Sequence, residues 1–252
     1  MLDILVKKLI KPIIIILFSV LISFLLMKNY TANNSASFNE QDFEKYINEN
    51  AELIISSVNK HYENLEANKG TVRVEKLKEL EKEIFSSKHD PFIGNENAKI
   101  RVVEFFDYNC GYCKKVYPTI LKLNKEFENV KIVFKEMPIL GAPSLVKSKV
   151  SLAAFHVKPE KYIEAHGKIM NHRGQLNTVE DVANLLQSLG YDKDELIKKA
   201  ESEMIANALE ENKKLAFKLQ VSGTPAFIVE DEFVDGAISF DGLKALVNKK
   251  IK

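Results

Sequence analysis

The order strand, cysteine pair, helix in residues 99–118 constrains this chain more than any other feature. The segment KIRVVEFF, residues 99–106, is rich in β-branched and aromatic side chains, which is typical of a buried strand. The only two cysteines, Cys110 and Cys113, follow at once, and a helix is predicted from about Cys110, with an interruption at Pro118. The first cysteine therefore sits at a helix N-terminus, where free N–H groups and the helix dipole favour an anionic thiolate.

Three kinds of site are open to such a pair. A zinc site of this type needs four ligands, and the sequence has no second cysteine pair and no histidines at the matching spacing. A structural disulfide across so short a loop would constrain the unfolded chain very little. The context favours the third alternative, a redox pair in which Cys110 attacks as a thiolate and Cys113 resolves the mixed disulfide.

Charged residues stand in two strands that are otherwise apolar. Glu104 lies in the segment before the cysteines, and Lys135 lies in a second strand predicted over residues 130–139. A charge at a buried strand position needs a partner or a chemical role. One interpretation makes both residues supports of the active site, with Glu104 exchanging a proton with Cys113. The other has both side chains pointing to solvent.

The segment SGTPAF, residues 222–227, places Pro225 just before a strand. A cis peptide bond at Thr224–Pro225 is one interpretation, with the loop facing the cysteines and offering backbone groups to an extended peptide. The alternative is an ordinary proline at the start of a strand.

The first 37 residues are predicted to be a cleaved signal peptide or an uncleaved anchor. Lysines precede an apolar run over residues 12–27, and Lys28 closes it. This run is longer than most signal-peptide cores but shorter than the roughly 20 residues that span a bilayer comfortably. Residues 35–37 resemble a cleavage site. Either interpretation places the rest of the chain outside the cytoplasm, in the periplasm, where disulfides persist.

Residues 38–87 are predicted to be a separate helical extension. Ile54, Val58, Tyr62 and Leu65 form one apolar stripe, and a break is expected at residues 68–70. Such a stripe must bury against something. It either packs on the body of the same chain or forms an oligomerisation stalk.

Residues 88–252 form the third predicted domain. The two strands are followed by an almost entirely helical block over residues 143–219, a hairpin over residues 224–239 and a last helix. This order predicts an α/β fold with a helical insertion.

Composition excludes several functions. The formal net charge of the 252 residues is +1, so no strong field points to a nucleic-acid partner. No glycine-rich phosphate loop follows a strand. The sequence therefore predicts no cofactor, no metal and no nucleic acid.

The motif VVEFFDYNCGYCKKVYP, the helical insertion before GTPAF, and the final hairpin and helix together resemble the DsbA-like protein-disulfide oxidoreductases of the thioredoxin superfamily. The resemblance covers about residues 88–252. It implies a thioredoxin fold, an attacking Cys110, a resolving Cys113, a cis-proline loop at Thr224–Pro225 that binds substrate, and a buried acid at Glu104.

Finer features resemble particular branches of that family. Gly111 and Tyr112, between the cysteines, are similar to the dipeptide of DsbC-type isomerases, and DPFIGN at residues 90–95 resembles the suppressor-of-copper-sensitivity C group. That similarity implies exported cysteine-containing clients, a membrane redox partner (an oxidase or a reductase) and a homotrimer formed through residues 38–87. A monomeric oxidase stays open as an alternative. So does a different class, a periplasmic chaperone or copper-binding protein.

Overall fold

A computed structural model describes residues 18–26, 28, 40–86 and 88–251 of the protein. The chain divides into two compact units, Met1–Leu65 and Glu66–Lys252. Residues 18–26 are helical, and most of the predicted signal or anchor segment lies outside the described residues. Within the described parts, no helix combines the length and the apolar character needed to cross a membrane.

The extension is helical, as predicted, but its helices differ from the prediction. Helix α1 covers Glu40–Glu49, and α2 runs without interruption over Ala51–Glu79. The break expected at residues 68–70 is absent, because a single glycine costs a helix only about 1 kcal/mol and does not by itself end it. In the first unit, α1 and α2 present exposed apolar side chains, among them Tyr46, Leu53 and Val58.

The end of the extension belongs to the core of the second unit. Leu77 in the last turn of α2, Leu80 just after it, and Ile84 and Phe85 in α3 (Glu81–Phe85) are almost fully buried. They cluster with side chains of the central sheet. Residues 77–85, which the prediction assigns to the extension, therefore contribute to the core of the second unit.

The second unit is built on a five-stranded mixed sheet in the order β1-β3-β2-β4-β5. The strands are β1 (Phe92–Gly94), β2 (Ile100–Phe106), β3 (Val130–Glu136), β4 (Ala226–Val229) and β5 (Glu232–Asp235). The central pair, β2 and β3, is parallel, and the other neighbours are antiparallel. The sequence analysis missed β1, because three residues at a sheet edge carry no periodic signal.

Helices cover both faces of the sheet. After β2 comes α4 (Gly111–Glu126), and the insertion consists of α5 (Ala142–Val157), a 3₁₀ turn (Pro159–Lys161), α6 (Tyr162–Met170), α7 (Val179–Gln187), α8 (Lys193–Ala200) and α9 (Glu203–Lys218). The chain ends with α10 (Phe240–Ile251). The α/β architecture with a helical insertion is confirmed. Helix α4 continues through Pro118, because its buried face packs on the core and outweighs the lost backbone hydrogen bond.

The strand register decides which side chains meet each helical layer. Glu104 pairs with Phe134 across β2 and β3, and with Phe227 across β2 and β4. Phe134 and Phe227 belong to the core cluster formed with α4, α10 and most of the insertion. Neighbouring residues of a strand alternate between faces, so Phe105 and Lys135 point toward the layer of α3 and α9.

Candidate active site

The cysteine-bearing turn joins the end of β2 to the start of α4. Asp107 follows the strand, and its backbone carbonyl accepts a hydrogen bond from the Cys110 N–H at 3.0 Å. Cys110 is the N-cap residue of α4 and has an extended backbone. The geometry therefore places its sulfur at the positive end of the helix, as the sequence indicates.

Cys110 lies against the loop that carries Pro225. Its thiol donates a hydrogen bond to the backbone carbonyl of Thr224 at 3.2 Å, and the Thr224–Pro225 peptide bond is cis. Burial raises the pKa of the Cys110 thiol, but hydrogen bonds from Cys113, Thr224 and Tyr112 outweigh burial and bring the pKa below its ordinary value of 9.0. The thiolate of Cys110 is therefore favoured at this position.

Cys113 has the opposite character. It lies in the first turn of α4, is fully buried, and forms no disulfide with Cys110 in this structure. Burial raises the pKa of the Cys113 thiol well above 9.0, and the charge of Glu104 raises it further. The two thiols therefore differ: the thiol of Cys110 ionises more readily, and the thiol of Cys113 stays neutral.

Glu104 is a buried carboxyl beneath the cysteines. It is 2% exposed, and burial together with the negative charge on Cys110 raises its pKa to about 8. The same carboxyl contributes to the raised pKa of Tyr117 in α4, after burial of that hydroxyl. Glu104 is therefore largely neutral at neutral pH, and its charge is coupled to those of both cysteines.

Lys135, predicted to support the site, lies on the other face of the sheet. Its ammonium forms a buried ion pair with Asp90 and donates to the backbone carbonyl of Glu83 at 2.7 Å. The structure corrects the prediction. Lys135 ties the end of α3 and the segment before β1 to the sheet, and it does not join Glu104. Neither charge points to solvent.

Asp107, which sequence reasoning passed over, organises the turn. Its carboxylate accepts hydrogen bonds from the N–H groups of Asn109, Ile139 and Leu140 at 2.7, 2.8 and 3.0 Å, and from the Ser144 hydroxyl at 2.7 Å. An aspartate directly after a strand is a sequence signal for such a local turn. Its partners after β3 are far away in the sequence, and no local pattern predicts these contacts.

Two polar side chains of the turn are anchored to the insertion. Asn109 donates to the Ser144 hydroxyl at 2.8 Å and accepts from the ammonium of Lys147, which is itself buried. The hydroxyl of Tyr108 lies 2.5 Å from that of Ser151. Tyr108 and Asn109, which directly precede Cys110, are thus held by α5.

Gly111 and Tyr112 complete the predicted set. A side chain at Gly111 would meet no atom within 4 Å, so this face of the turn is open. Tyr112 is 62% exposed and lies 5.2 Å from the Lys115 ammonium. Both residues flank the access to Cys110. Among the described residues, no three His, Cys, Asp or Glu side chains lie together as metal ligands would.

An apolar groove of about 990 Å³ lies beside the turn. Its lining includes Ile139, Leu145 and, from α9, Phe217, which is 85% exposed. Ile139 is also one of the residues that bind the Asp107 carboxylate. The groove therefore adjoins the segment that holds the cysteine-bearing turn.

Comparison with known proteins gives a consistent picture. The family described as Thioredoxin matches residues 86–249. Disulfide bond formation protein D of Bacillus subtilis is 26% identical over 178 residues, which cover 66% of this chain and 79% of that protein. The solved thiol-disulfide exchange protein alpha-DsbA2 of Wolbachia pipientis is 29% identical with a TM-score of 0.67, over 71% of this chain and 96% of that one.

A third similarity extends toward the N-terminus. A linker-deletion variant of Proteus mirabilis ScsC has a TM-score of 0.70 and covers 86% of this chain and 98% of its own. At 24% identity, this likeness shows the fold alone. The coverage exceeds the 65% or so of the chain that the family match spans, so the likeness includes part of the helical extension.

Proposed function

We propose that this chain, which belongs to the thioredoxin family as a DsbA-like protein-disulfide oxidoreductase, exchanges disulfides of exported proteins through Cys110 and Cys113. One observation carries the proposal. Cys110 is the N-cap residue of α4, and its sulfur lies 3.2 Å from the carbonyl oxygen of Thr224. Cys113 is buried in the first turn of the same helix. A reactive thiolate with a resolving thiol behind it is the arrangement that disulfide exchange requires.

The exchange balances in two steps. The Cys110 thiolate attacks one sulfur of a client disulfide, an S–S bond forms between them, and the client's other sulfur leaves as a thiolate and takes a proton. Cys113 then loses its proton and attacks the Cys110 sulfur, so the client is released with two thiols and the enzyme holds the Cys110–Cys113 disulfide. Run in reverse, the same steps oxidise a client dithiol.

Glu104 is proposed as the group that handles the Cys113 proton. A thiol with so high a pKa needs a base before it can attack, and a carboxyl with a pKa near 8 is partly ionised at neutral pH. Burial of both groups keeps water from competing for the proton. In the oxidising direction the neutral carboxyl returns the proton to the Cys113 thiolate.

Thr224 and Pro225 are proposed to bind the client backbone. Proline has no N–H to offer, so the loop presents carbonyls beside Cys110, and the Thr224 carbonyl already contacts the sulfur. The apolar groove beside the turn supports clients that are proteins rather than small thiols, because unfolded chains expose apolar side chains that gain from burial.

Each turnover that oxidises or reduces a client leaves the cysteine pair in the opposite redox state. A second protein must therefore reset it, and we assign that role to a membrane oxidase or reductase of an exported pathway. We place the chain in the periplasm because a lysine-flanked apolar run near the N-terminus is typical of an export signal.

The extension bears on whether the enzyme oxidises or isomerises. Exposed apolar side chains of the first unit, such as Leu53 and Val58, are proposed to pack between copies of the chain in a homotrimer. Several active sites around one client raise the local concentration of Cys110, which favours shuffling of wrong disulfides.

Reactivation of scrambled ribonuclease in a glutathione buffer tests both the isomerase activity and its dependence on the trimer. The full chain is compared with a Leu53→Ser/Val58→Ser variant, and light scattering gives the mass of each. A trimeric parent that reactivates the substrate, with a monomeric variant that does not, supports the isomerase. A monomeric parent that only oxidises a reduced peptide refutes the trimeric isomerase and leaves an oxidase.

A further inference from the structure

Arg73, on the second-unit part of α2, reaches the loop that precedes β4. Its guanidinium donates to both carboxylate oxygens of Asp235, at 2.6 and 3.2 Å, and to the backbone carbonyl of Gln220 at 2.9 Å. The same group lies 4.0 Å from the centre of the Phe233 ring. One side chain of the extension thus contacts three residues of the catalytic unit.

Two of these contacts fall at the two ends of one loop. Gln220 follows α9 and has a left-handed backbone with a φ of 56°. Asp235 pairs with Ala226 at the start of β4, and the next residue, Gly236, donates to the carbonyl of Pro225 at 3.0 Å. Residues 220–226 therefore begin and end at groups tied to the same guanidinium.

The contacts of Arg73 fix the position and orientation of the groups that they join. A planar guanidinium with two parallel hydrogen bonds to a carboxylate fixes both distance and orientation, which a lysine ammonium does not. Only 12% of the Arg73 side chain is exposed, so water competes little for it. The contact with the Phe233 ring adds a cation–π attraction.

We propose that Arg73 is a positioning residue, which fixes both ends of the Thr224–Pro225 loop and so sets the distance between Thr224 and Cys110. Arg73 touches neither cysteine. It acts through Gln220 and Asp235. The proposal ties the helical extension to the active site through one side chain, and it rests on the proposed role of Cys110.

Titration of the Cys110 thiolate by ultraviolet absorbance tests the proposal without any client. Arg73→Met releases the loop, so the Cys110 pKa is expected to rise toward 9.0, because the hydrogen bond of the Thr224 side chain is one of the interactions that lower it. With a disulfide-linked peptide substrate, kcat/KM is expected to fall about tenfold, mainly through a higher KM, since small misplacements of binding groups are costly. The Cys110 pKa and the kcat/KM of Arg73→Lys should lie between those of the parent and those of Arg73→Met.

Lys76→Met is the matched control. Lys76 lies on the same helix and carries the same charge, but its ion pair is with Glu79 and not with the loop. This variant should keep the parent's pKa and KM. Asp235→Asn removes the same contact from the other side at a half-exposed position, and it should act in the same direction as Arg73→Met even where that variant folds poorly.

The outcomes separate the two proposals. Equal Cys110 pKa values in the parent, Arg73→Met and Asp235→Asn would overturn the positioning role. Equal shifts in Arg73→Met and Lys76→Met would overturn it as well, because they would report lost charge alone. Absence of disulfide exchange in the parent would instead refute the proposed function, and the thiolate titration would still report on the loop.

Discussion

Replacement of Glu104 by Gln should remove that carboxyl's own contribution to the pH dependence of stability between pH 5 and 8. Glu104 is fully buried and its pKa is about 8, against 4.5 in the unfolded chain. Below pH 4.5 both states hold the proton, so burial of the carboxyl carries no ionisation penalty. As the pH rises, the unfolded chain ionises first, and the folded state loses stability by up to about 1.4 kcal/mol per pH unit.

The loss should level off near pH 8, where the folded carboxyl also ionises, at about 5 kcal/mol in total. Chemical unfolding of the reduced protein across this range measures it. Glu104→Gln keeps the shape and a polar end but cannot ionise, so its difference from the parent should grow with pH.

Glu211→Gln serves as the control, since Glu211 is exposed and should show no such growth with pH. A difference between the Glu104→Gln variant and the parent that stays constant from pH 5 to 9 would refute the reasoning. It would mean that Glu104 is ionised in the folded protein at all these values, and its proposed role with the Cys113 proton would be lost too.

Three further outcomes follow from the structure. Cys113→Ser should accumulate a mixed disulfide with a client peptide, visible by mass spectrometry under non-reducing conditions, because the resolving thiol is gone. Lys135→Met leaves Asp90 buried without its partner and should cost about 3–5 kcal/mol in denaturant unfolding, part of which Asp90→Asn in the same chain restores. Ile84→Ala should cost about 2–5 kcal/mol, while Lys82→Ala at the exposed neighbouring position should cost little.

Local sequence was sufficient to predict the elements that are marked by hydrophobic periodicity or by turn residues. The strand before Cys110, the helical insertion and the hairpin after Pro225 each have a period or a turn residue that marks them. The two cysteines lie where the strand–helix order indicates. The cis bond at Thr224–Pro225 was one of two interpretations, and only the neighbouring strands decide between them.

Other features depend on contacts far apart in the chain. Lys135 and Glu104 stand in adjacent strands, but their faces follow from a register that neither strand encodes alone. Asp107 binds residues more than thirty positions away, and no local pattern names them. Leu77, Leu80 and Ile84 pack against the central sheet, and only the folded structure shows that contact.

The central claim is that Cys110 performs disulfide exchange and Cys113 completes it. The most direct test is the rate at which the reduced chain cleaves a disulfide-linked, internally quenched peptide, measured for the parent, Cys110→Ser and Cys113→Ser. We expect rapid cleavage by the parent, a background rate for Cys110→Ser, and a single trapped mixed disulfide for Cys113→Ser. Cleavage by Cys110→Ser at the parent's rate would contradict this claim.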